Sequence, residues 1–176
     1  VQDIWQRVAE DFIPFDVDVT TEDPGVDALR KSGSGDSQWG VRVVIGGSST
    51  QWFSRSGGVA YVGSFRWNTD TPTYVFTADN TTQQGFVAEA ASHETGHTLG
   101  LNHAGRSGES YYGGHGSGAT DWAPIMGNSY YTSVTHWDKG EFSGATNRED
   151  DLAIITASNN GFGYRADDHS AGTALN

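Results

Sequence analysis

In the first dozen residues, Ile4, Trp5, Val8 and Phe12 share one face of a helix expected over residues 3–12. Pro14 ends it. Phe15, Val17 and Val19 then alternate with Asp16, Asp18 and Thr20, the period of a half-buried strand. Pro24-Gly25 marks a turn, residues 28–31 a brief helical turn, and Ser32-Gly33-Ser34-Gly35 a flexible link. Further strands are expected at 40–45, at 59–65 after Gly57-Gly58, and at 74–77. The clearest helix covers 84–99, with Phe86, Val87, Ala90 and Ala91 as its inward stripe and Gly100 as its stop. Residues 102–135 have no regular period and are rich in glycine and aromatics; so long an irregular stretch is usually functional. A last helix is expected with Asn147 as N-cap, Asp150 three residues on, and Leu152, Ile154 and Ile155 turned inward. The tail from Asp167 is polar. Helix, strands, helix, long loop, helix is the order of an α+β fold.

A length of 176 residues fits one domain around one core, and a mean hydropathy of -0.52 suits a globular chain. No run approaches the roughly 18 apolar residues of a membrane span. The chain starts at Val1 with no basic and apolar leader after it, so it reads as a processed or excised piece. Acidic residues outnumber basic ones 22 to 10, for a net charge of -12. Nucleic acid and anionic lipid, both held through Lys and Arg, are therefore not expected partners. Bound cations are compatible with this charge. Asp70, Asp79, Asp121, Asp167 and Asp168 are candidates for calcium, although none lies in the regular spacing of a dedicated calcium loop. With no cysteine, disulfides and thiolate ligands are excluded, and any zinc site must be built from His, Asp or Glu.

The segment His93-Glu94-Thr95-Gly96-His97-Thr98-Leu99-Gly100-Leu101-Asn102-His103 supplies such ligands. Four residues apart on a helix, His93 and His97 present their imidazoles one turn apart on one face. Glu94, beside the first ligand, can reach a water on the metal without binding the metal itself. Gly100 lets the chain leave through a left-handed conformation that a Cβ would resist, and the returning chain delivers His103. Three neutral imidazoles leave a fourth position for water, the layout of a catalytic zinc site. Such a metal brings its water to a pKa near 7, and Glu94 is placed to take that water's proton as general base. His115 is a candidate for a second metal but reads better as a loop residue. His136-Trp137-Asp138 reads better as a surface turn than as an oriented pair.

The extended motif resembles that of the metzincin clan of zinc peptidases, whose members add a tight turn with a Met beneath the metal; Pro124-Ile125-Met126-Gly127 fits, and Met126 is the only Met in the chain. The resemblance implies a single domain with a twisted, mixed five-stranded sheet and three main helices. Residues 1–100 would form an upper subdomain with the sheet and active-site helix. Residues 101–176 would form a lower one with the Met-turn and C-terminal helix. It also implies a secreted zinc-dependent endopeptidase with one zinc per chain, acting on protein or peptide substrates; a monomer is the default expectation. Substrate would pair antiparallel to an edge strand, for which 59–65 is the candidate, with Val59, Ala60 and Tyr61 in contact. Residues 128–135, with Tyr130 and Tyr131, would wall the pocket beyond the scissile bond. Two departures stand out. Some families place a Tyr two residues after the Met, where this chain has Asn128, and Ala104 after the third His matches no particular subgroup. A zinc-retaining binding module without turnover is the first alternative, opposed by the intact Glu94. A zinc hydrolase of a non-peptide bond is the second, opposed by His103 and Met126.

Overall fold

The computed structural model describes residues 1–52, 54–78 and 83–166. Its elements in chain order are α1 (Gln2–Asp11), β1 (Val43–Ile45), β2 (Gly58–Val59), β3 (Thr73–Val75), α2 (Gln84–Leu99), β4 (Trp122–Pro124), β5 (Val134–His136) and α3 (Asp151–Ile155). One-turn 3-10 helices at Val26–Leu29, Ser49–Gln51, Ser64–Arg66 and Gly118–Thr120 punctuate the connections. Three helices and small sheets make this a mixed helix-and-sheet fold, as the α+β reading expects.

Helix α2 is the axis. From Val87 to Leu99 only Glu89 and Thr95 are partly exposed. Small residues (Ala88, Ala90, Ala91, Ser92, Gly96) let neighbours pack closely on several sides, which is why its apolar stripe is weak for so buried a helix. Helix α1 packs along it, joined by the Ser92 hydroxyl donating to Asp11 at 2.5 Å. Val75, Val87, Ala90 and Ala91 form one apolar cluster, with Ile4 and Val8 of α1 against it. A larger one gathers Phe12, Phe15, Leu99, Leu101, Met126, Trp137 and Ile155 at the other end. In α1 the apolar face is narrower than its spacing implies. Phe12 is buried, but Trp5 is 38% exposed and its indole N–H donates to the Val19 carbonyl.

Strand β3 is central in a three-stranded sheet, order β1-β3-β2. It runs parallel to β1, with Val44 opposite Tyr74, and antiparallel to β2, with Gly58 opposite Val75. Strands β4 and β5 pair with each other in parallel, in a separate sheet. The single five-stranded sheet is thus corrected among the described residues to sheets of three and two. Residues 15–19 add no strand. Phe15 forms an isolated bridge to Tyr164 and is fully buried, a contribution of about 1.5–3 kcal/mol that needs no ladder. The strand expected over 59–65 stops at Val59. Gly63 turns into the left-handed region (φ 76°) and its N–H donates to the His97 carbonyl, tying this segment to α2 instead of to a sheet partner.

The irregular stretch 102–135 contains β4. Helix α3 is capped by Asp150, whose side chain accepts from the Ala153 N–H, and not by Asn147. Ile155 faces the core, Ile154 is half-buried and Leu152 is exposed. Among the described residues no helix is long and apolar enough to cross a membrane.

Candidate metal centre

His93 and His97 sit one turn apart on α2 with ring centroids 4.9 Å apart. The helix ends at Gly100, whose φ of 116° reverses the chain, and the Leu101 N–H returns to the Gly96 carbonyl. A Cβ at Gly100 would meet only Ile154 at 3.5 Å, so the demand for glycine here is conformational and not steric. Past the turn, His103 comes back beside the helix, its ring centroid 4.7 Å from that of His97 and 5.3 Å from that of His93. One ring nitrogen from each of the three lies within 4.8 Å of the others, the only such cluster of potential ligands among the described residues.

The outer nitrogens are already committed. His93 Nδ1 lies 2.8 Å from the Ile125 carbonyl and His97 Nδ1 lies 2.8 Å from the Leu101 carbonyl. A carbonyl only accepts, so both Nδ1 atoms carry the proton and both Nε2 lone pairs are left for a metal. Burial, with His97 close by, lowers His93 to about 3, and the same two causes lower His103 to about 4. Burial lowers His97 as well. All three are neutral at physiological pH, the form that ligates. His97 Nε2 and His103 Nε2 are 2.9 Å apart. Tetrahedral zinc at 2.0–2.1 Å sets ligand nitrogens about 3.3 Å apart, so this pair would open by a few tenths of an ångström to take the ion, within a trio whose nitrogens all lie within 4.8 Å of one another. The donor set fits zinc.

Glu94 is buried beside this cluster, and desolvation raises its carboxyl to about 8. A cation held at the three nitrogens would draw that value down, leaving a carboxylate that can take a proton and return it. Its position depends on β2. A Cβ on Gly58 would lie 2.6 Å from Glu94 Cγ, 2.7 Å from Glu94 Oε1 and 2.8 Å from the Tyr74 carbonyl. The carbonyl belongs to β3 and cannot yield, so a methyl group must displace the glutamate. Gly58→Ala is expected to lower kcat about 10–100-fold with zinc content unchanged, since sub-ångström to 1 Å misplacement carries costs of that order. Steady-state kinetics with metal analysis checks this.

A family profile described as Metallo-peptidase family M12B Reprolysin-like matches residues 17–104, half of the chain, from before β1 to one residue past His103. The chain belongs to that family. No curated protein sequence matches it. Family membership and the histidine cluster together make this a zinc metallopeptidase at family level, with a metzincin-type site.

The matched stretch stops short of the supports that this reprolysin-like metallopeptidase builds around its ligands. Met126 is fully buried, and its Sδ would lie 2.6 Å from a Cβ on Gly96, so the sulfur packs against α2 at the residue before His97. The same turn supplies the Ile125 carbonyl that orients His93, and the Ala104 N–H donates to the Met126 carbonyl.

Glu149 clamps the third ligand's loop. It accepts from the Asn102 N–H at 2.9 Å and from Asn102 Nδ2 at 2.7 Å, while Asn147 Nδ2 donates to the His103 carbonyl at 3.2 Å. Burial pushes the Glu149 carboxyl up, but hydrogen bonds from Asn147 and Asn102 outweigh it and hold it below the usual range. Sequence reasoning missed this clamp because Glu149 lies 47 residues from Asn102 and carries no local signal. Glu149→Ala is expected to weaken zinc binding about 10–100-fold, the range for lost outer-shell partners. Competition with a chromogenic chelator measures it.

Other expected residues fall at varying distance from the centre. Val59, Ala60 and Tyr61 follow Gly58 and line a surface cavity of about 470 Å³ with Trp52, Pro72 and Tyr74. Tyr130 and Tyr131 pack on Phe86, with centroids 5.3 and 5.1 Å away. His115 is taken up by Tyr112, whose hydroxyl lies 2.8 Å from His115 Nδ1, and is structural. His136 Nδ1 faces the Trp137 carbonyl and the Asp138 carboxylate accepts from the Gly140 N–H, so these two do not form an oriented pair. Asp70 pairs with Arg42 at 3.5 Å, and neither it nor Asp121 joins an acidic cluster of three. Asp79, Asp167 and Asp168 lie outside the described residues.

Proposed function

We propose that this chain is a secreted, monomeric zinc endopeptidase that hydrolyses extended protein or peptide substrates. One zinc would be held by His93, His97 and His103, supplying a Lewis acid and a water acidified to near-neutral pKa. Glu94 accepts the proton of the attacking water and delivers it to the departing amine. The Ile125 and Leu101 carbonyls keep the two helix imidazoles in the ligating tautomer throughout. Substrate pairs with the β2 edge, and Val59, Ala60 and Tyr61 contact its side chains; Tyr130 and Tyr131 wall the far side. On this reading residues 1–100 and 101–176 form the two sides of the cleft. Secretion rests on the family resemblance.

The observation that carries this proposal is the juxtaposition of three neutral, converging imidazoles with a buried carboxyl beneath a sheet edge. Digestion of a peptide mixture in ¹⁸O-labelled water tests it. One labelled oxygen in each new C-terminal carboxyl is expected. Hydrolysis of esters but of no peptide would assign the site to a non-peptide bond instead.

A further inference from the structure

Building on the peptidase reading, we infer that the Tyr111 hydroxyl is a catalytic hydrogen-bond donor to the scissile carbonyl oxygen as it becomes a tetrahedral oxyanion. The loop over 104–117 gives its two adjacent tyrosines opposite surroundings. Tyr112 is 4% exposed, stacks on Phe142 with centroids 4.0 Å apart, and spends its hydroxyl on His115. Tyr111 is 48% exposed, and its ring centroid lies 4.2 Å from that of His103 and 6.2 Å from that of His93. Its ring is thus one wall of the metal centre. Its hydroxyl makes no hydrogen bond to the described residues.

Burial and then the nearby Glu94 charge raise the Tyr111 phenol above its ordinary value. A phenol's ordinary pKa of about 10 leaves its hydroxyl protonated and able to donate at neutral pH. Tyr130 and Tyr131 lie nearer Met126 in sequence, but their rings pack on Phe86, whereas the Tyr111 ring packs on His103.

As water adds to the carbonyl carbon, the C=O π pair moves onto oxygen, and that oxygen gains charge which a positioned donor stabilises. Tyr111 shares its proton and keeps it when the C–N bond breaks and the carbonyl re-forms. The water's proton travels through Glu94 to the amine, so the tyrosine ends as it began.

Tyr111→Phe keeps the ring on His103 and removes only the donor. The expected result is a fall in kcat of about 10–100-fold, below the 10²–10³ of enclosed oxyanion donors because Tyr111 is half exposed. KM and zinc stoichiometry should stay as in wild type. A phosphinic peptide, whose tetrahedral oxygens stand in for the oxyanion, should bind the zinc-loaded variant at least about tenfold more weakly by calorimetry. Tyr164→Phe, an exposed tyrosine stacked on Phe15, should alter neither quantity. Equal kcat and equal phosphinate affinity in wild type and Tyr111→Phe would overturn this inference alone. A wild-type protein that binds zinc yet cleaves no peptide would overturn the peptidase reading and this inference with it.

Discussion

Replacing Glu94 with alanine or glutamine is expected to lower kcat/KM on peptides by about 10²–10⁴-fold, the contribution of a positioned general base, while zinc content stays at the wild-type level. Two features separate these effects. The ligand nitrogens belong to the three histidines and not to Glu94, so its loss does not open the metal site. The carboxyl is buried and packed under Gly58, where desolvation raises its pKa, so it acts from a fixed place beside the ligands. The glutamine variant matters because alanine leaves a gap beneath β2, whereas glutamine keeps the volume and removes the base. A glutamine variant with more than about a tenth of wild-type activity would contradict the role given to Glu94.

His103→Ala is expected to weaken zinc binding by more than 100-fold and abolish turnover at limiting zinc, because a direct ligand exceeds the 10–100-fold effect of the partners that merely orient one. His103 is also the least buried of the three. Losing it opens the centre to solvent as well as removing a donor. Equilibrium competition against a chelator of known affinity gives the number. An affinity within a few fold of wild type would mean that His93 and His97 suffice, and the three-imidazole centre would be wrong.

The site was far more legible in the sequence than the sheet around it. The imidazoles at 93, 97 and 103 are linked by helix geometry and one left-handed glycine, both local properties, so spacing alone reports their convergence. Helix α2 appears at the residues its pattern predicts, 84–99. Strands fared worse. The alternation over 15–19 is real, but Phe15 satisfies its burial in an aromatic cluster with Phe12, Trp137 and Phe162, and among the described residues no strand pairs with Val17 and Val19. At 59–65 the run of apolar residues is interrupted by Gly63, whose N–H finds the α2 carbonyl of His97. Neither outcome is written in periodicity, because both depend on partners distant in sequence.

The supports were hidden for the same reason. Glu149 and Asn147 act on a loop more than 40 residues away, and Gly58 matters for the side chain it leaves out. The Met126 turn was found because a family resemblance pointed to it; its packing on Gly96 explains in physical terms why a small residue precedes His97. Tyr111 is not singled out by the sequence because its distance from His103 along the chain says nothing about which ring the 104–117 loop folds over that imidazole.

The most direct test of the account is cleavage of a quenched, mixed peptide library by the zinc-loaded protein, read before chelation, after chelation, and after zinc is restored. The account predicts cleavage with about one zinc per chain, loss of cleavage on chelation, and recovery with zinc. Cleavage that persists after the metal is removed, or a purified chain that takes up no zinc, would contradict it.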